Sequence, residues 1–436
     1  MASRTLEVDF LTRVEGEGAL RIELDGEAPT RIELRIFEPP RFFESLLRGR
    51  DQHEAPDITS RICGICPVAY ITSACAALEQ AHGIQLQAER VAVRRLLYAG
   101  EWIESHGLHV FMLHLPDFLG LPDAMTLAKQ EPALVKSALR IKKVGNSLMR
   151  VLGGREIHPV NTRVGGFYKA PDRVALNDLV SELEWAEQAT LEALERLAKL
   201  EFPELERDYE LVALHAPGCY AIESGRIRSS GGLDIDVRDY TQHFQELQRP
   251  HSTALHSLIK LTPESDPREY LCGPLARFAL NHAELPSDLF SAARQAGLEP
   301  TCRNPFKSIL ARTVEIAFAC REAARIIRAY VPPTEPSVPL PPMTGEVEGH
   351  GASEAPRGLL YHRYRVDSDG LITEAQIGPP TSQNQGSIER DLWDLAPELG
   401  RLPLAEATLL AERAIRNHDP CISCATHFLS LEIERT

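Results

Sequence analysis

The chain has 436 residues, 43% of them hydrophobic, and a formal net charge of -15. That length holds one large domain or two to three ordinary ones with a substantial core, and the acidic balance excludes a nucleic-acid surface, which needs clustered Lys and Arg. No stretch reaches the ~18 consecutive apolar residues of a membrane helix, and the start, MASRTLEVDFLTRVEGEG, alternates charge and apolarity where a signal peptide would carry an apolar run. The reading is a cytoplasmic protein with no membrane and no nucleic-acid partner.

In chain order, LEVDFL, LRIEL and RIELRIF alternate apolar and polar residues, which predicts a small antiparallel sheet over the first forty residues. PPRFFESLLRGR predicts a short helix. From residue 67 to 332 the pattern is mostly helical. VAVRRLLYAGEWIESHGLHVFMLHL, EPALVKSALRIKKVGNSLMRVL and NDLVSELEWAEQATLEALERLAKL space apolar residues by three and four, as the members of a helical bundle do. The run VPPTEPSVPLPPM (331–343) carries six prolines and cannot be regular helix, so it predicts a linker or surface strap. GLLYHRYRVDSDGLITEAQI predicts a hairpin turning at Asp369-Gly370. SIERDLWDLA and LAEATLLAERAIRNH return to helix. The fold class expected is α+β, mainly α: a long-helix bundle with small antiparallel sheets. A single domain spans 1–436, divided into a sheet with the first Cys pair (1–66), the bundle (67–332), the strap (333–343) and a hairpin with C-terminal helices (344–436).

Nine cysteines, an odd number over a long chain, fit a reducing compartment better than a disulfide framework. Cys75, Cys219, Cys272, Cys302 and Cys320 stand singly and read as small buried side chains. The other four form two CxxC pairs, RICGICP (Cys63, Cys66) and DPCISC (Cys421, Cys424). A helical or turn backbone places sulfurs at i and i+3 on one face, so each pair is half of a metal site. Asp419-Pro420 also looks like a capping Asp with Pro at the first helical position. By spacing alone, a four-cysteine zinc site, a redox-active pair and an Fe4S4 cluster all stay open.

The flanking residues carry more. RICGICP and DPCISCATH at the two ends of the chain, with RVEGEG (13–18), PPRFFESLLRGR (39–50), SHGLHVFMLHLPDFLG (105–120), GGREIHPVNTRVGGF (153–167), EAPRGLLYH (354–362) and PPTSQN (379–384) in order between them, resemble the large catalytic subunit of the nickel-iron hydrogenases. The variants PPRFFE and CPVAY look most like the cytoplasmic NAD(P)-linked group. At Tyr70 the sequence departs from the histidine many relatives carry, which puts the local hydrogen bonding in question.

The resemblance implies the family's large-subunit fold and the reversible heterolytic cleavage of H2, which asks for a soft, electron-rich metal and a nearby base for the proton. It implies a nickel-iron centre with CO and CN ligands on iron. Cys63 and Cys421 would be terminal nickel ligands, and Cys66 and Cys424 would bridge the two metals. Arg357 would lie over the open face of the metals with Asp117 and Asp419 as its charge partners. Thr381 would hydrogen-bond a cyanide, and Pro356 and Pro380 would line the diatomic pocket. Glu15 would relay protons. Glu44, the backbone carbonyl near Ile377, and His427 would hold Mg2+ (or Fe2+). His106, His109, His114, His158 and His362 read as hydrogen-bonded groups behind the site.

Partners implied are a small subunit carrying iron-sulfur clusters, a flavin-bearing NAD(P) diaphorase module, a nickel-insertion chaperone and a maturation endopeptidase. The last would remove FLSLEIERT (428–436) and leave His427 as the mature end. A non-catalytic H2-sensing homologue and, in a different class, a structural protein with a four-cysteine metal site are the competing functions.

Overall fold

The computed structural model describes residues 3–426. The alternating N-terminal segments form an antiparallel sheet of Ser3–Val8, Gly18–Asp25 and Ala28–Ile36, with Gly18–Asp25 in the middle. Period two sends Leu20, Ile22 and Leu24 to one face. There they pack with Leu6 and Leu34 against Ile388, Leu392 and Leu399 of the helix Pro380–Arg401 and Ala411 and Ile415 of Leu404–Arg416. The first strands are thus covered by the last long helices.

The bundle is built from Ala88–Leu108, Pro132–Gly153, Val180–Leu197 and Ser308–Ala329. Two glycines let Ala88–Leu108 and Pro132–Gly153 approach closely: a Cβ on Gly145 would stand 2.5 Å from the Gly100 carbonyl. Ala88–Leu108 runs on into a single π-helical stretch, His109–His114, and then Leu115–Phe118. Such widened turns cluster at functional sites, and this one delivers Asp117.

Helix does not hold across the whole of 67–332. Leu211–His215, Arg226–Ser229, Asp234–Ile235 and Leu271–Cys272 form a four-stranded sheet, and Phe244–Gln248 with Leu255–Ile259 forms a separate two-stranded ribbon. These strands have two to five residues, too few for a period-two signal to stand out against helical neighbours. The Pro-rich run is a strap: the Val338 amide donates to the Gly165 carbonyl at 2.9 Å, and the Phe167 amide to the Pro336 carbonyl at 3.0 Å.

The expected hairpin is Gly358–Val366 with Ile372–Gly378. Its turn is closed by Asp367, whose carboxylate accepts from the Asp369 and Leu371 amides at 2.9 Å each. Sequence reading missed the third strand, Val347–Ala355, which pairs along the other edge of Gly358–Val366. Its glycines hid it, because glycine weakens a strand signal. They are there for contact. A Cβ on Gly349 would meet the Ala77 carbonyl at 2.0 Å and one on Gly351 the Ser73 carbonyl at 2.4 Å, so the strand lies directly on the helix Pro67–Ala81. That helix begins one residue after Cys66.

Candidate metal centre

Each CxxC sits at the mouth of a helix. Cys66 immediately precedes Pro67–Ala81, and Cys421 immediately precedes the short turn Ile422–Ala425. The amides of Ile65 and Cys66 point at the Cys63 sulfur, at 3.3 and 3.4 Å. Amide donors of this kind favour a thiolate. Residues 358 apart in sequence meet here: Sγ of Cys63 and Cys421 are 3.4 Å apart, and Sγ of Cys66 and Cys424 are 3.8 Å apart. Cys421 and Cys424 approach to 2.7 Å, longer than a disulfide bond. All four sulfurs lie within 4.8 Å of one another, and all four residues are buried. Metal–sulfur bonds of about 2.3 Å span sulfur pairs up to about 4.6 Å apart, so the cluster fits one metal centre closely. Burial raises the thiols of Cys421 and Cys424. Contact with the Cys421 thiol lowers Cys63 well below the usual thiol range.

The second pair is held in place by the RVEGEG loop. The Ile422 amide donates to the Glu15 carbonyl at 2.9 Å. Gly16, at φ 88°, and Gly18 leave room for Ile422, which a Cβ on either would strike at 2.7 and 2.8 Å. Glu15 is no solvated charge: its Oε2 lies 3.0 Å from the Cys421 sulfur and accepts from the Ser423 amide at 3.1 Å. Burial, and then the nearby Cys63, raise its carboxyl above the ordinary value.

Arg357 is 2% exposed. Its Nε donates to the Asp419 carbonyl at 2.8 Å and lies 3.2 Å from Asp419 Oδ2. Its Nη1 is buried and has no hydrogen-bond partner among the described residues. After Asp419, the charges that hold this guanidinium protonated are Cys421, Cys66 and Cys63. A committed cation with an unspent donor beside four thiols is what an anionic ligand on the metal would need. Thr381 Oγ1 accepts from the Cys421 amide at 2.9 Å, which leaves its own proton to donate.

Two expectations change. Asp117 does not pair with Arg357: it is bonded to Arg13 and, at 2.7 and 2.9 Å, to Arg416. The two arginines turn it into a clamp between the N-terminal loop and the helix Leu404–Arg416. Asp419 does not cap a helix either; it sits at φ 51° with its carboxylate toward Arg357. Glu44 and Ile377 do meet, through the Ile377 amide donating to Glu44 Oε1 at 2.7 Å. His427 and the tail 428–436 lie outside the described residues. Tyr70 is buried, and its hydroxyl is raised by burial and then by Cys424. His109 meets the Arg416 carbonyl, His158 the Ser60 carbonyl and His362 the Tyr364 hydroxyl, at 2.7 to 2.8 Å. Of the single cysteines, Cys219 is exposed and Cys302 half-buried.

Sequence reading passed over the groups that fix Pro356 and Arg357. Arg277, fully buried, bonds Glu315 at 2.7 Å and Glu354 at 3.0 Å, and donates to the carbonyls of Ala355 and Pro356 at 2.9 Å each. Gly273 lets the Arg357 carbonyl come within 2.8 Å of where a Cβ would be. Pro380 meets the Cys272 thiol through its carbonyl at 3.8 Å. Glu101 accepts from the Val68 and Ala69 amides at 2.6 and 3.1 Å, capping the helix that starts after Cys66. A charged residue inside an apolar helical run was the only sign of either Arg277 or Glu101.

The family model for nickel-dependent hydrogenases matches residues 41–146 and 238–427. The chain is 32% identical over 437 residues to the alpha subunit of sulfhydrogenase 1 from Pyrococcus furiosus, covering 98% of both chains. It is 30% identical to a chain of the F420-non-reducing hydrogenase of Methanothermobacter marburgensis, covering 98% of this chain and 96% of that one. Among solved structures, an NAD+-reducing [NiFe]-hydrogenase in the H2-reduced state superposes with a TM-score of 0.88 at 27% identity, over 98% of this chain and all of the other. The [NiFeSe]-hydrogenase of Dm. baculatum shares the fold at a TM-score of 0.80 and 19% identity, over 98% of this chain and all of the other. With four buried thiols gathered from both ends of the sequence, the chain belongs to the nickel-dependent hydrogenase family, as the catalytic large subunit of a nickel-iron hydrogenase.

Proposed function

We propose that this subunit splits H2 heterolytically and reversibly, passing the electrons through a small iron-sulfur subunit to NAD(P)+. The observation that carries the reading is the convergence of Cys63, Cys66, Cys421 and Cys424 with Glu15 and Arg357 in one buried site. Cys63 and Cys421 would hold nickel, and Cys66 and Cys424 would join it to an iron carrying CO and CN. When bound, that group supplies the soft, electron-rich centre at which a bond as weakly acidic as H–H is polarised.

The protein's share is positioning and proton transfer. The Cys421 sulfur and Glu15 Oε2, 3.0 Å apart, would form the first proton step, from a thiol to a carboxylate whose proton affinity burial raises. Arg357, anchored at Asp419, keeps an unspent N–H that would serve an anionic ligand of the metal, and Thr381 offers a hydroxyl donor beside Cys421. Pro356 and Pro380 bring no side-chain donor and would line the pocket of the diatomic ligands. Glu44, with the backbone at Ile377 and with His427, would bind Mg2+ or Fe2+ away from the reaction.

NAD(P)+ as acceptor draws on the likeness to the NAD+-reducing enzyme. It requires a diaphorase partner, since this chain has no cysteine set for a chain of clusters and no dinucleotide fingerprint. The test is to purify the chain with its co-expressed partner chains, measure nickel and iron, record the infrared region of metal-bound CO and CN, and assay H2-dependent reduction of a viologen dye and of NAD(P)+. Nickel, iron, the infrared bands and both reductions are expected. Dye reduction without NAD(P)+ reduction removes the acceptor alone, while zinc in place of nickel and iron, with no H2 uptake, removes the whole reading.

A further inference from the structure

Away from the cysteines, a second group of ligating side chains comes together where three segments meet. His251 lies in the loop of the ribbon between Phe244–Gln248 and Leu255–Ile259, His256 is in the second of those strands, and Glu389 is on the helix Pro380–Arg401. One ligand atom from each lies within 4.8 Å of the others. His251 Nε2 is 2.8 Å from Glu389 Oε1, while Glu389 Oε2 stands 4.0 Å from His256 Nδ1, too far for a hydrogen bond. Two atoms each about 2.0–2.2 Å from a tetrahedral zinc ion stand roughly 3.3–3.6 Å apart, so the 4.0 Å gap would close and the 2.8 Å contact would open by roughly half an ångström to seat an ion.

His256 makes the site more than a surface ion pair. It is 2% exposed and its Nε2 has no hydrogen-bond partner among the described residues. Its neighbour Gln385 accepts from Ser252 Oγ at 3.1 Å and donates to the Leu255 carbonyl at 3.2 Å, which leaves one amide proton and one lone pair unspent. The nitrogen turned toward Glu389 is Nδ1, 4.0 Å from Oε2 and without a hydrogen bond to it, so an ion in that gap would give this buried ring a partner. Burial holds this ring neutral down to about pH 4, the form that binds metal. Glu389 is fixed from a third direction, since its Oε1 accepts from the Leu34 amide at 2.9 Å. His251 and Glu389 are 17% and 18% exposed in their side chains, which opens the site to solvent on one side for entry of the ion and for a water as fourth ligand.

We infer that His251, His256 and Glu389 form a second metal site, for a first-row divalent cation of the zinc class, that pins the ribbon loop to the long C-terminal helix. Two imidazoles and one carboxylate suit zinc and its neighbours, whereas magnesium and calcium take oxygen sets. The same helix carries Thr381 eight residues earlier, about 12 Å along its axis, so the ion braces the element that supports the Cys421 amide without touching the cysteines. The inference does not depend on the H2 reading.

The experiment uses the purified complex, incubated with zinc chloride or with cobalt(II) chloride and then desalted. The wild type should retain about one zinc per chain more than His251→Ala or Glu389→Gln. Its cobalt form should show visible ligand-field bands without the thiolate charge-transfer absorption that a four-cysteine site would give. Both partly exposed variants should fold and keep their basal H2 turnover. Equal zinc in wild type and variants, or a cobalt spectrum only of the thiolate type, would mean that the three side chains are a hydrogen-bonded cluster and no more.

Discussion

Arg357 concentrates what single residues do in this molecule. Its Nε is spent on Asp419, its carbonyl is pressed against Gly273, and Nη1 is left over beside the thiols. Only a planar, multi-donor cation can do all of this; an ammonium has the charge without the fork. Arg357→Lys should therefore keep nickel and iron at wild-type content and leave the unfolding midpoint close to wild type, while H2 turnover falls on the order of a hundredfold. Metal analysis alongside an H2 uptake assay checks this, and undiminished turnover would place the guanidinium away from the reaction. The motif APRG made Arg357 visible in the sequence, and DPC did the same for Asp419. Asp117 was equally visible, but its partner was not: which of several arginines a carboxylate meets depends on how Arg13 and Arg416 are brought to it from residues 104 and 299 away.

At the scale of elements, the site is positioned by close packing with no room to spare. The helix Pro67–Ala81 carries Cys66 at its mouth, is capped by Glu101 and is backed by the strand Val347–Ala355 at glycine distance. A side chain at Gly351 would have to push strand and helix apart, because the atoms it meets are backbone. Gly351→Val is expected to lower stability by about 3 kcal/mol, the upper end of the cost of overpacking, and to reduce metal retention. Urea unfolding and metal content per chain measure both, and a wild-type midpoint would show that the contact yields cheaply. Long helices were legible because several turns let the helical period repeat. The short strands between 211 and 272 and the glycine-bearing strand were not, since their identity lies in partners distant along the chain.

The whole molecule buries several histidines whose ionisation burial opposes. Burial holds His106 near pKa 4 and pushes His109 and His114 well below their ordinary value. Unfolded, each takes a proton near pH ~6.5. The native state refuses those protons, so stability is fully present above about pH 6.5 and falls as pH drops toward about 4, by up to about 1.4 kcal/mol per pH unit for each histidine. His114→Gln removes one such proton and should flatten the decline in thermal midpoint between about pH 6.5 and 4.5; an unchanged slope would show that His114 is not among its causes.

The sequence by itself determined the chemistry on offer: two CxxC pairs, the order of the motifs around them, an N-terminal sheet and a bundle of long helices. These are local properties, written in spacing and side-chain type. Only the tertiary structure decided that Cys66 and Cys424 stand 3.8 Å apart, that Glu15 touches Cys421, that Arg277 holds the Arg357 loop and that His251 and His256 face Glu389. Each of those contacts joins segments separated along the chain, where the folded backbone, and no pattern within either segment, sets the distance.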